Sequence, residues 1–189
     1  DKEYEVCDLC CGSGAIGISI AHFRENTKVD LIDYYDVPEK VTKRNIVKLG
    51  DEILRKVCRT QLNFDERLHQ VLDDMAETMY DADGVGLAAP QVGILRRYCI
   101  VDAGDGLLEL INPVIESARG EQTGEEGCLS VPNKYATVTR PMKVKVRAQD
   151  RFGNSFTVKA EGLKARALCH EIDHLDGILY IDRAKEQEE

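Results

Sequence analysis

The chain has 189 residues, 43% of them hydrophobic, with 34 acidic against 25 basic side chains and a formal net charge of −9. That length suits one well-cored domain and little more. The acidic balance excludes a phosphate-gripping surface and with it DNA binding, and no apolar run resembles a membrane span or signal peptide. The seven cysteines, odd in number and without a disulfide framework, fit a reducing compartment, so a soluble cytoplasmic protein is expected.

Residues 1–43 read differently from the rest. Glu5-Val6-Cys7-Asp8-Leu9 reads as a short buried strand, Cys10-Cys11-Gly12-Ser13-Gly14-Ala15 as a glycine loop, Ile16 to Ala21 as the start of a helix, and Val29-Asp30-Leu31-Ile32-Asp33 as a second strand ending in an acid. That order suits a nucleotide fold, in which the loop approaches the ligand and the acid meets ribose hydroxyls. The segment resembles the first motif of a class I S-adenosylmethionine-dependent methyltransferase, of the kind that modifies release factors. Only about forty residues match, and an open α/β sheet needs more strands to bury its faces. The chain also begins at Asp1 rather than Met. The expectation is therefore a truncated β-α-β fragment that binds no cofactor through residues 12–14 or Asp33. Cys7 and Cys10 lack a second pair and are read as a chance spacing. His22 is expected to be solvated.

From residue 44 to 189 the pattern is that of one α+β domain. Asn63 to Asp83 reads as a helix with Leu68, Val71, Leu72, Met75, Ala76 and Met79 on its apolar face. Asn63 and Glu66 suggest a capping-box-like start, the methionines core filling, and His69 a solvated side chain. Tyr98–Asp102 and Leu107–Ile111 read as strands. Lys143–Ala148 alternates as a half-buried strand does, Asp150–Asn154 is a turn, and Phe156–Ala160 returns, which predicts a hairpin. The closing helix is expected from Leu163 to Leu175. Leu163, Ala167, His170 and His174 share one of its faces, with Leu168, Ile172 and Leu175 anchoring it in the core.

That helix carries His170-Glu171-Ile172-Asp173-His174. Four residues is about one turn, so both imidazoles leave the same face and can grip one ion, while the Glu beside the first can act on an activated water. A third donor is available upstream, in Glu125-Glu126-Gly127-Cys128-Leu129-Ser130. Three protein ligands, Cys128, His170 and His174, leave one position open, as a catalytic metal requires. A soft thiolate beside two imidazoles suits Fe(II) as well as zinc. Cys169 should lie about 100° around the helix from His170 and is assigned to packing. A third segment, Gly84-Val85-Gly86-Leu87-Ala88-Ala89-Pro90-Gln91-Val92-Gly93, reads as a turn plus strand. Its glycines permit close backbone approach, and Gln91 supplies an amide that can donate to an oxyanion.

The ordered set Gly84–Gln91, Glu126–Ser130 and His170–His174 resembles peptide deformylase, over a span from about Arg44 to Arg183. The resemblance implies antiparallel sheets around a central metal-binding helix. It implies hydrolysis of the formyl group from the N-terminal formylmethionine of nascent peptides, with release of formate. It also implies one Fe2+ per chain, which Zn2+, Ni2+ or Co2+ can replace. Glu171 is then the proton carrier, and the Gln91 amide and Leu129 backbone N–H donate to the developing oxyanion. Val85, Gly86, Leu163 and Ala167 are candidates for the methionine pocket, with Arg166 at its rim. Glu126 and Arg140 are a candidate pair holding the cysteine segment. The family works near the ribosome, so transient ribosome association is a candidate partnership, although the chain ends in Arg183-Ala184-Lys185-Glu186-Gln187-Glu188-Glu189 without a basic docking helix. Two other classes use the same residues. A metalloendoprotease would want a third ligand downstream of the helix, where little chain follows. A binding protein with a vestigial site would hold metal without turnover.

Overall fold

The computed structural model describes residues 5–8, 28–31 and 42–184, in two units spanning 1–40 and 41–189. In the first unit β1 (Glu5–Asp8) and β2 (Lys28–Leu31) pair in parallel, Glu5 opposite Lys28 and Asp8 opposite Leu31. The glycine loop, the helix expected after it, His22 and Asp33 lie outside the described residues.

The second unit is built on a five-stranded antiparallel sheet in the order β3-β4-β5-β8-β9. Its strands are β3 (Gly86–Ala88), β4 (Tyr98–Val101), β5 (Leu108–Arg119), β8 (Lys143–Gln149) and β9 (Ser155–Glu161). Every residue of β4 is buried, because helices cover both faces of the sheet there. Side chains alternate across a strand. Tyr98 and Ile100, with Leu87 and Ile111, therefore pack on α1 (Glu66–Asp81), while Cys99 and Val101, with Ala88 and Leu110, pack on α2 (Gly162–Leu175). The α1 stripe is the expected one: Leu68, Val71, Leu72, Met75 and Met79 are buried. On α2 the anchors Leu168, Ile172 and Leu175 and the packing residue Cys169 are buried against the sheet.

Three expectations are corrected. The α1 cap is Asp65, not Asn63; its carboxylate accepts from the Leu68 N–H at 3.0 Å, and the helix stops at Asp81. His69 is not a solvated side chain. Its Nε2 lies 2.9 Å from the Arg151 carbonyl and its ring meets Phe152 edge-on. The strand expected to stop at Ile111 continues to Arg119 through an irregularity between Ile111 and Val114. Asn112 takes a φ of 52° there and is held by Gln61 and Gln149, so Asn-Pro, a local breaker signal, is absorbed as a bulge.

The hairpin of β8 and β9 is present, with the Asp150 carboxylate accepting from the Phe152 and Asn154 backbones to close its turn. A second, two-stranded sheet pairs β6 (Gln122–Cys128) with β7 (Val131–Arg140). Its residues are mostly polar, so no hydrophobic alternation announces it. After α2 the chain turns back through Gly177, whose φ is +74° and where a Cβ would lie 2.6 Å from the Arg55 carbonyl oxygen. It then forms the short α3 (Tyr180–Arg183), which packs Tyr180 on Val131 and Val138. Among the described residues no helix is long and apolar enough to cross a membrane.

Candidate metal centre

Two routes bring the donors together. On α2 the i, i+4 spacing turns His170 and His174 to one side, their rings 5.0 Å apart. Cys128 arrives from across the molecule as the last residue of β6, next to a two-residue turn, Leu129-Ser130, that leads straight into Val131. The ligand atoms of Cys128, His170 and His174 all lie within 4.8 Å of one another, with Cys128 Sγ 3.3 Å from His174 Nε2. The segment expected as a turn plus strand has both, a bend at Val85 leading into β3, and adds a further turn after the strand. Strand β3 is followed by a single 3-10 turn, Ala89–Val92, that buries Gln91. The Gln91 side-chain Oε1 accepts from the Ala88 N–H at 2.8 Å, which aims its amide nitrogen at Cys128 Sγ (3.5 Å) and Ser130 Oγ (3.2 Å).

Around the histidines lies a buried ionic network. Glu126 is 5% exposed yet ionised, because both its oxygens are fully used. Oε1 accepts from Arg140 Nε (2.9 Å) and Arg166 Nη1 (2.8 Å), and Oε2 from Arg140 Nη2 (2.9 Å) and His170 Nδ1 (3.0 Å). Burial pushes the Glu126 carboxyl up, but His170 and Arg140 pull harder and hold it at about 2. Arg140 also grips Asp173, which Arg183 holds from the other side at 2.5 and 2.7 Å. A carboxylate only accepts hydrogen bonds, so His170 carries its proton on Nδ1 and offers Nε2 to the cluster.

The residues fit a cation. One cysteine sulfur and two imidazoles converge within 4.8 Å, the mixed soft and borderline donor set that a divalent transition metal takes. Burial, then His170, holds His174 well below its ordinary value; it is neutral, as a ligand must be. Next to the donors, Glu171 is buried and its carboxyl is pushed up to about 7 by desolvation, with His170 opposing and Glu126 reinforcing. Its Oε2 has no hydrogen-bond partner among the described residues. A carboxyl titrating near neutrality beside a cation site is suited to moving a proton.

These groups open onto a cleft of about 640 Å³. Gln91, Cys128, Leu129, His170 and Glu171 line it, as do Val85, Gly86, Leu163, Ala167 and Arg166. His174, 1% exposed, lies behind that lining. Gly86 has an unexpected neighbour: a Cβ there would sit 2.5 Å from Glu171 Oε1. Sequence reasoning paired Glu126 with Arg140 but missed its bond to His170, the place of Asp173 and the buried Ser130. The one signal available for Glu126 was a carboxylate two residues before the candidate cysteine ligand.

A helix-borne His pair with an intervening carboxylate, a third donor from a hairpin and an open cleft define a hydrolase of the metal-dependent class. The family model described as polypeptide deformylase matches residues 43–189. The peptide deformylase of Caldicellulosiruptor bescii is 59% identical over 140 residues, covering 74% of this chain and 84% of the relative. The crystal structure of peptide deformylase from Thermotoga maritima superposes with a TM-score of 0.75 at 42% identity, covering 76% of this chain and 98% of that one. A class I type b deformylase from Acinetobacter baumannii, solved with Met-Ala-Ser bound, gives 0.73 at 33% identity over 76% and 99%. The chain belongs to the polypeptide deformylase family, and its activity is the family's: hydrolytic removal of the formyl group from N-terminal formylmethionine. The family match begins at residue 43, and the likeness of residues 1–43 to a methyltransferase motif finds no support in these comparisons.

Proposed function

We propose that Cys128, His170 and His174 hold one divalent ion and that Glu171, Gln91 and Leu129 carry the deformylation chemistry. The convergence of three donors within 4.8 Å, beside a buried carboxyl with an oxygen unpaired among the described residues, supports this most strongly. A bound ion supplies Lewis-acid activation of water and of the formyl carbonyl. Glu171 takes the proton released as water attacks and delivers it to the leaving nitrogen, so that formate and a free amine result. The Gln91 amide and the Leu129 N–H donate to the oxygen that becomes negative. Glu126 fixes the His170 ring, and Arg140 keeps Glu126 charged.

Val85, Gly86, Leu163 and Ala167 receive the methionine side chain. The bound Met-Ala-Ser of the Acinetobacter relative supports an N-terminal methionine in this cleft. Thiolate and imidazole donors favour Fe2+, with Zn2+, Ni2+ or Co2+ as substitutes. The substrates are nascent formylated chains in the cytoplasm, met through transient contact with the ribosome. Residues 1–43 are read as an N-terminal extension ahead of the catalytic domain at 44–189, of which β1 and β2 pair in parallel.

The test is formate release from a formyl-Met tripeptide by protein purified without oxygen and loaded with Fe(II) or Ni(II). Glu171→Ala should keep one metal per chain and lose about 10²–10⁴-fold in kcat. Cys128→Ala should lose the metal. A metal-loaded wild type without turnover, or an E171A variant as fast as wild type, would refute the assignment.

A further inference from the structure

The two proposed oxyanion donors come from segments far apart in sequence, and three consecutive residues bind both segments. The Val47 N–H donates to the Gln91 carbonyl at 2.8 Å, Lys48 Nζ to the Leu129 carbonyl at 2.8 Å, and the Leu49 N–H to the Ser130 carbonyl at 2.8 Å. Lys48 also lines the cleft, with Gln91, Cys128 and Leu129. The Leu129-Ser130 turn needs an outside hold. Cys128 pairs with Val131 directly, so this is a two-residue hairpin loop, and such loops favour left-handed central residues that match the strand twist. Neither Leu129 nor Ser130 is among the residues with positive φ. Turns of the other hand splay the strands, and a hairpin of this kind leaves the carbonyl of its first central residue without a ladder partner. That carbonyl belongs to Leu129, whose N–H is the proposed donor.

We propose that Lys48 is a positioning residue for the reaction: its ammonium clamps the Leu129 carbonyl and so the peptide after Leu129, which, with Cys128 already paired to Val131 on the other side, keeps the Leu129 N–H from turning, and it adds a positive charge to the cleft lining. This rests on the reading of Gln91 and Leu129 as oxyanion donors. A preorganised donor acts in the transition state more than on bound substrate, so the effect belongs in kcat.

The experiment measures kcat, KM, metal content and Tm for Fe(II)- or Ni(II)-loaded wild type, Lys48→Met, Lys48→Arg and Gln91→Ala. Lys48→Met should lose about five- to tenfold in kcat, the upper end of one ordinary net hydrogen bond, as suits a solvent-exposed contact, with KM, metal content and Tm unchanged. Lys48→Arg should restore most of the loss. Wild-type kcat in K48M, a loss confined to KM, a parallel fall in Tm or metal content, or no rescue by arginine would each overturn the proposal. Full turnover in Q91A would instead overturn the Gln91 assignment on which it stands.

Discussion

Replacing Gly86 with alanine tests whether Glu171 works from where the structure puts it. The added Cβ would lie 2.5 Å from Glu171 Oε1 and 2.8 Å from both its Cδ and Cγ. Ordinary contact begins at 3.4 Å, so either β3 or the carboxylate must give by nearly an ångström. β3 is hydrogen-bonded to β4 and pinned between two helices, Leu87 and Ala88 being fully buried, so the side chain is the softer partner. A catalytic group misplaced by about 1 Å costs roughly 100-fold in rate, and overpacking of this kind costs about 1–3 kcal/mol of stability. G86A should therefore lose about two orders of magnitude in kcat/KM for a formyl-Met peptide, keep one metal per chain and melt a few degrees lower. The double variant G86A/E171A should recover the lost Tm, because the clashing atoms are gone, and should be no slower than E171A alone. Such non-additivity marks two residues acting through one contact. A folded, metal-loaded G86A with turnover within twofold of wild type would refute the reasoning, since the carboxylate would then tolerate displacement.

Two further outcomes follow from the ionic network. Glu126→Gln keeps the size of the side chain but weakens the hold on His170 Nδ1 and leaves Arg140 short of a counter-charge; metal affinity, read by competition with a chromogenic chelator, should fall about 10- to 100-fold, and unchanged affinity would show that the ring needs no such anchor. In metal-free protein, Glu126 makes stability depend on pH with a definite sign. Its folded value, about 2, lies below its ordinary 4.5, so its contribution is complete above about pH 4.5 and is lost as pH falls towards 2; acid unfolding followed by circular dichroism should be flatter across that window in E126Q, and identical profiles would remove Glu126 from the account.

How much of this was legible in the sequence depended on the range of the interaction. The helix pattern of α1, the β8–β9 hairpin and the helical His pair are local, so a period of 3.6 or 2 or a turn signal suffices to find them. The start of α1 was misjudged because Asn63, Asp65 and Glu66 compete as caps, and only the Asp65 carboxylate meets a free N–H. β5 was cut short because Asn112-Pro113 reads as a stop, and what keeps the strand going, the bonds from Asn112 to Gln61 and Gln149, comes from distant chain. β6 and β7 left almost no trace, since a polar hairpin presents no alternating apolar face.

The same distinction explains the site. Cys128 could be proposed as a third ligand because thiolate chemistry is restrictive enough to name a residue without knowing the fold. Glu126 was paired with Arg140, but its bond to His170 could not be found that way: a carboxylate in an acidic chain has many possible roles, and this contact exists only because β6 passes α2. What turns a helical His pair into an oriented pair is this second layer. Glu126 fixes one ring, Arg140 keeps Glu126 ionised, and Asp173, inside the motif itself, returns the charge of Arg140 while Arg183 ties α3 to the same carboxylate. Removing either carboxylate would leave Arg140, 3% exposed, a buried cation with too little to hold it, a situation far costlier than the net worth of an intact pair. The middle of the motif is therefore not free to vary in this chain. Asp173 is required by an arginine thirty-three residues away, and no spacing rule along the sequence could have said so.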